Sequence, residues 1–144
     1  MTNHVGEYRI IKNGMLKCIK NAITDLALNA EVQAFLGVNP NIQIKYLAIG
    51  TGNAPVDNAA TNLQTEIFRT PFISQAVANN EVTTEFVVLN SEAVGTWKEI
   101  AIFGGTTATG AANSGKMISR ILYTDDKTAL EEITIQRVDK IARG

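Results

Sequence analysis

The stretch Ile42–Pro55 reads "IQIKYLAIGTGNAP", and it decides between two kinds of fold. Ile42, Ile44 and Tyr46 alternate with Gln43 and Lys45, the period of a strand with one covered face, before Leu47 to Ile49 turn apolar on both sides. A strand running into Gly50-Thr51-Gly52 opens either the phosphate loop of an α/β nucleotide-binding protein or a tight turn in a structural sheet. A dinucleotide fingerprint needs G-x-G-x-x-G at the start of a helix, and a P-loop needs G-x-x-x-x-G-K-[ST]. Here Asn53, Ala54 and Pro55 follow, no third glycine falls in register, and no Lys-Ser/Thr pair arrives. The segment from Thr51 to Asn62, "TGNAPVDNAATN", is loop composition throughout, so no helix N-terminus offers aligned N–H donors to an anion. Gly50 and Gly52 therefore read as turn glycines.

Downstream the pattern stays β. After a short helical turn at "LQTEIF" (63–68), the runs "RTPFISQAVA" (69–78) and "EVTTEFVVLN" (81–90) flank Asn79-Asn80, a pair that tolerates positive φ and favours a hairpin. "TWKEIAIFGG" (96–105), "KMISRILYTD" (116–125) and "EEITIQRVDKI" (131–141) read as further strands. The small-residue loop "TTATGAANSG" (106–115) carries no apolar anchor and reads as a mobile tip. Upstream, Tyr8 to Phe35 carries apolar residues four apart: Ile11, Met15, Ile19 and Ile23, with Lys12, Lys17, Lys20 and Asp25 on the other side. That spacing predicts an N-terminal amphipathic helix, restarted at an Asn29 N-cap, stopped at Gly37 and turned at "VNPN" (38–41). The expected class is α+β, mainly β: this helix followed by an antiparallel sheet or sandwich of about six strands, without βαβ alternation. Residues 1–40 form the helical segment and 41–144 the β-rich domain of one compact unit.

Charge is sparse and balanced, 13 basic against 14 acidic side chains, which argues against a nucleic-acid binder or a polybasic membrane anchor. No apolar run approaches the roughly 20 residues of a membrane span, and the N-terminus lacks the pattern of a secretory leader. Cys18, the single cysteine, lies in the helical pattern and is expected to be a buried small hydrophobe rather than a reactive thiol.

Catalytic arrangements find little support. His4 is the single histidine and sits near the chain start, where a Ser/His/Asp or Cys/His arrangement would lack support. One histidine and one cysteine are too few for a His/Cys metal site. Asp125, Asp126, Glu131 and Glu132 offer carboxylates for a cation, although such residues at a turn are ordinarily solvated. No motif asks for a cofactor, and no catalytic residue is assigned.

Glu99 stands apart. In "TWKEIAIF" an alternating strand puts Trp97, Glu99, Ala101 and Phe103 on one face, a carboxylate among aromatic and small neighbours. A buried carboxylate is paired or loses its charge. Arg69 and Arg120 are the candidate partners, forming an internal clasp; the alternative is a solvent-facing Glu99 on an edge strand.

These features occur in an order that resembles the virion fibre-type modules of tailed bacteriophages, the tail-collar and baseplate-proximal fibre domains. In that family an "aiGtG" strand leads to a loop, a "T.L..E..R" segment and later a "kEigiFg" strand. The match carries Ile49, Gly50, Thr51 and Gly52; Thr61, Leu63, Glu66 and Arg69; and Lys98, Glu99, Ile100, Phe103 and Gly104, within residues 44–138.

The resemblance implies a non-enzymatic virion structural protein of the tail, baseplate or neck, assembled as a homo-oligomer, with a trimer favoured. Its partners would be copies of itself and other virion tail, baseplate or neck proteins. Relatives commonly continue into shafts or receptor-binding tips, so a sequence stopping at Gly144 reads as an attachment module or a short fibre, collar or decoration protein. Under this reading the Ile11-Met15-Ile19-Ile23 stripe either covers its own sheet or bundles with other copies, and the loops at 51–62 and 105–115 adapt to neighbours. The rival is a module recognising host surface glycans, with Trp97, Tyr123 and Tyr46 as aromatic platforms.

Overall fold

The computed structural model describes residues 2–21, 23–37 and 41–143. In chain order these form β1 (Thr2–Lys12), β2 (Met15–Asn21), α1 (Asp25–Ala34), β3 (Ile44–Gly50), β4 (Glu66–Pro71), β5 (Ser74–Ala78), β6 (Glu81–Val88), β7 (Gly95–Gly104), β8 (Lys116–Lys127) and β9 (Ile133–Arg143). The strands make two antiparallel sheets, one of five in the order β2-β1-β9-β6-β5 and one of four in the order β4-β3-β7-β8. The protein is mainly β, with one short helix.

The long N-terminal helix is replaced by a hairpin. Ile11 lies on β1, Met15 and Ile19 on β2, and Ile23 follows β2 as a core residue. A spacing of four fits a helix, but it is also a multiple of the strand period of two, so it cannot separate the two structures. The deciding residues are Asn13-Gly14. Both have positive φ (52° and 72°), and Lys12 pairs with Met15 across them, the two-residue turn that Asn-Gly favours. Tyr8 and Ile10 then face the core, while Met15 and Leu16 face solvent. Cys18 is exposed on β2 rather than buried. Residues 2–12 belong to the same sheet as the C-terminal strand, because β1 pairs with β9 along its whole length, from Thr2–Arg143 to Lys12–Ile133.

The two sheets share one core. Tyr8, Ile10, Phe86, Val88, Ile133 and Ile135 of the larger sheet meet Leu47, Ile49, Trp97, Ile100, Ile102, Ile121 and Tyr123 of the smaller. The smaller sheet is buried on its outer face too, where Ala48, Ala101, Phe103 and Met117 pack with Leu63 of the loop after β3. Burial on both faces explains why "YLAIG" (46–50) and "IAIFG" (100–104) are continuously apolar instead of alternating.

The chain changes sheets between β4 and β5. Phe72 N–H donates to Lys45 C=O of the smaller sheet at 3.1 Å, and the next residue, Ile73, donates to Glu85 C=O of the larger at 2.8 Å. The run 69–78 is therefore two strands, and the change of sheet falls between Phe72 and Ile73, just past Pro71 at the end of β4. The helical turn expected at 63–68 is instead a bend at Gln64 and Thr65 followed by the start of β4. The Asn79-Asn80 hairpin forms, with Ala78 opposite Glu81 and Asn79 at φ 57°.

The helix α1 is capped by Thr24, not Asn29. Thr24 Oγ accepts from Ala27 N–H and donates to Met117 C=O of β8 at 2.7 Å, pinning the helix start to the sheet. Gly37, at φ 77°, follows its last turn. Most of the turn expected at 38–41 lies outside the described residues.

Candidate functional site

On the outer face of the smaller sheet, cross-strand register builds two adjacent rows. One runs Arg69–Ala48–Ala101–Arg120 across β4, β3, β7 and β8; the next runs Glu66–Gly50–Glu99–Leu122. Alanine and glycine in the middle strands leave room for long charged side chains above them. A register irregularity between Trp97 and Glu99 breaks the simple alternation. Trp97 joins the core between the sheets with Ile100, whereas Glu99 takes the loop-covered face.

Glu99 is fully buried and is the hub of the loop after β3. Its carboxylate accepts from Gly52 N–H at 2.8 Å, Gln64 N–H at 3.0 Å, Thr65 N–H at 2.9 Å and Arg120 Nε at 2.9 Å. Burial alone would push this carboxyl up, but the N–H donors and the guanidinium outweigh it and hold it below the usual carboxylate range. Arg120 also donates through Nη1 to Ala54 C=O at 3.0 Å, so both ends of the loop are tied to one ion pair. Glu99 pairs with Arg120 and not with Arg69. The glycine loop thus does surround an anion with backbone N–H groups, and the anion is the chain's own carboxylate.

The same geometry dictates the glycines. A Cβ on Gly50 would lie 2.4 Å from Glu99 Oε2 and 2.5 Å from Thr65 C=O, and one on Gly52 would lie 2.3 Å from Gln64 Cβ. Backbone as well as side chain would have to move. Gly50→Ala is therefore expected to lose about 1–3 kcal/mol in urea unfolding, the range of overpacking substitutions. A neutral result would show that the loop re-seats at no cost.

Arg69 serves the second loop. It forms a two-point pair with Glu66 (Nε–Oε2 and Nη2–Oε1, both 2.9 Å), and Nη1 donates to Thr109 C=O at 3.0 Å and Ser114 C=O at 2.8 Å. Its guanidinium lies 4.3 Å from the Phe103 ring centroid and 5.5 Å from that of Tyr46. Glu66 Oε1 accepts from Asn113 N–H at 3.1 Å. The segment 105–115, read from composition as a mobile tip, is held by this pair; the segment 51–62 is held by the other.

The remaining candidates are placed as follows. Asp125 and Glu131 are bound to Lys12 Nζ (2.6 and 3.3 Å), Asp126 accepts from Thr96 Oγ, and Glu132 is exposed. Among the described residues no group of three or more His, Cys, Asp and Glu is arranged to hold a metal ion. Trp97 is fully buried with Nε1 donating to Ala93 C=O, and Tyr123 is buried beside it in the core. Neither is a sugar platform.

Two features escaped the sequence reading. One is His4, which is not frayed: it lies in β1 opposite Ile141, with its side chain 8% exposed and bound to Asp139 and Glu31. The other is the outward face of α1. Ala27 and Ala30 are its buried residues and the helix packs on β8, while Leu28 and Val32 of the helix, with Phe35 and Leu36 just after it, face solvent. Phe35 is 88% and Leu36 79% exposed. At 100° per residue these four form one stripe, opposite the alanines. The fully buried side chains of the helix are alanines, while Leu28 and Val32 stay exposed.

A compact β protein with clamped loops and an outward apolar helix stripe is the class that this geometry defines. The chain matches no family model, no curated protein and no solved structure.

Proposed function

We propose that the protein is a non-enzymatic structural protein of a tailed-phage particle. It assembles as a homo-oligomer, a trimer in the favoured form, in the tail, baseplate or neck, where it attaches or forms a short fibre. The observation that carries this reading is the outward stripe of Leu28, Val32, Phe35 and Leu36, since contiguous exposed apolar surface marks an interaction site. Two further features support it. Residues of the fibre-type pattern, Gly50, Gly52 and Glu99 together with Glu66, Arg69 and Phe103, meet in the two loop clasps, so the resemblance is one of scaffold. The terminal strands β2 and β5 of the larger sheet also expose Met15, Leu16 and Val77, and such edges call for cover. The glycan-binding rival loses two of its three platforms, Trp97 and Tyr123, to the core.

Light scattering on the eluted protein at micromolar concentration tests the reading. A mass of about three times the 15.5 kDa chain is expected. Phe35→Asp combined with Leu36→Asp should weaken assembly by more than about a hundredfold, as loss of two hot-spot side chains does, and return a folded monomer. A wild-type chain that stays monomeric at this concentration would contradict the oligomer.

A further inference from the structure

His4 ties three elements together at one end of the two sheets. Its ring lies between carboxylates from different parts of the chain: Nε2 is 2.8 Å from Asp139 Oδ1 on β9, and Nδ1 is in ion-pair contact with Glu31 on α1, without an aligned hydrogen bond. Behind Asp139 stands Arg137, fully buried, with Nη2 3.0 Å from Asp139 Oδ1, Nη1 donating to Asn21 and its guanidinium over the Tyr8 ring. Asp139 is thus fixed from two sides, whereas Glu31 meets the body of the protein through the imidazole. The helix stripe adjoins the same place, since Leu28 and Val32 line a cavity together with His4 and Glu31. The other cavity against His4, of about 380 Å³, is lined by apolar side chains and by the neutral amides of Gln43, Gln75 and Asn80, so His4, Glu31 and Asp139 are its titratable lining groups.

We propose that His4 is a proton-dependent latch that holds α1, and with it the apolar stripe, against β9. With both nitrogens protonated the ring is a cation between two carboxylates. Removing one proton changes more than the charge. If Nε2 keeps its hydrogen for Asp139, Nδ1 turns a lone pair toward the Glu31 carboxylate, and attraction at that contact becomes repulsion. The helix then keeps its Thr24 cap and its small alanine contacts but loses its mid-helix tie.

Burial by itself would lower the His4 pKa, but the Asp139 and Glu31 contacts outweigh it and hold it above the usual value of 6.5. Burial would raise that of Asp139, yet His4 and Arg137 hold it down, so Asp139 remains a carboxylate while His4 titrates. For a group raised in the folded state, the added stability is complete below its unfolded value and is lost as pH rises through the folded value. The latch is closed in mildly acidic solution and opens on the alkaline side of 6.5.

The latch stands without the assembly reading; its effect on assembly rests on it. The test therefore uses a Phe35→Ser/Leu36→Ser background at low concentration, kept neutral because Phe35 lines the same cavity as His4 and Glu31, so that failure of either idea is separately visible. Because His4 is the single histidine, its imidazole resonance is unambiguous in a pH titration. The resonance should titrate above 6.5. Protection of the α1 amides from hydrogen exchange, corrected for intrinsic pH dependence, should fall about tenfold between the protonated and neutral ring, the scale of one charge-assisted hydrogen bond. His4→Gln and Glu31→Gln should each flatten that dependence, and Glu31→Gln should also lower the imidazole pKa. Titration at or below 6.5, pH-independent α1 protection, or an undiminished dependence in either variant would overturn the latch.

Discussion

Glu99→Gln is expected to cost about 3–5 kcal/mol of folding stability, the loss typical of breaking a buried ion pair from one side. The carboxylate receives four donors, from Gly52, Gln64, Thr65 and Arg120, and a group that only accepts is what such a pocket requires. Glutamine keeps the shape but turns one end into an NH2, which faces N–H donors and leaves Arg120 buried without its counter-charge. Urea unfolding at neutral pH measures the loss. Acid gives a second handle. Because the Glu99 carboxyl is held below its ordinary value in the folded state, its contribution is present above the unfolded value, near 4.3, and is lost as pH falls through the folded value. That part of the wild-type acid destabilisation should vanish in Glu99→Gln. A double variant with Arg120→Leu should lose less than the two single losses added, because each single change strands the other partner. A loss below 1 kcal/mol in Glu99→Gln would mean that the loop 51–65 holds itself.

How far this arrangement was legible depends on the range of the forces involved. The strands at 44–50, 95–104, 116–127 and 133–143 follow from local pattern, since doubly buried or alternating apolar runs leave little choice. The hairpin at Asn79-Asn80 follows from turn chemistry. Residues 8–23 misled because Ile11, Met15, Ile19 and Ile23 satisfy both periods, and the short-range signal that separates them, Asn13-Gly14, carries more information than the stripe. Burial of Glu99 was readable from its neighbours, but its partner was not: Arg120 and Arg69 sit at the two ends of the same cross-strand row, and only register decides between them. His4 was beyond reach, because its partner Asp139 lies 135 residues away. Composition also says nothing of the hydrogen bonds that reach the loop at 106–115 from Arg69 and Glu66. Small polar residues make a segment mobile only when nothing distant reaches in to hold its carbonyls.

The loop at 105–115 is the sharpest case, and Arg69→Met should expose it. Methionine retains most of the stem that packs beside Phe103 and Tyr46, so the volume change is modest. What disappears is the planar fork that satisfies Glu66 twice and the Thr109 and Ser114 carbonyls once each. Glu66, with its side chain 2% exposed, is left as a buried carboxylate without a cation, again a loss of about 3–5 kcal/mol in denaturant unfolding. Arg69→Lys should recover less than half of it, because an ammonium cannot span both carboxylate oxygens and two carbonyls from one position. The local consequence is more diagnostic than the global one. Asn113 N–H donates to Glu66, and the Ser114 hydroxyl links Arg69 to Thr109, so removing the guanidinium unfastens the loop from both sides. Limited proteolysis under native conditions should then cut Arg69→Met within 105–115 well before the wild type, while the loop at 51–62, held by Glu99 and Arg120, stays resistant. Equal cleavage of both loops would mean that Arg69 supports the sheet as a whole, and unchanged cleavage would mean that the loop is ordered by its own turns.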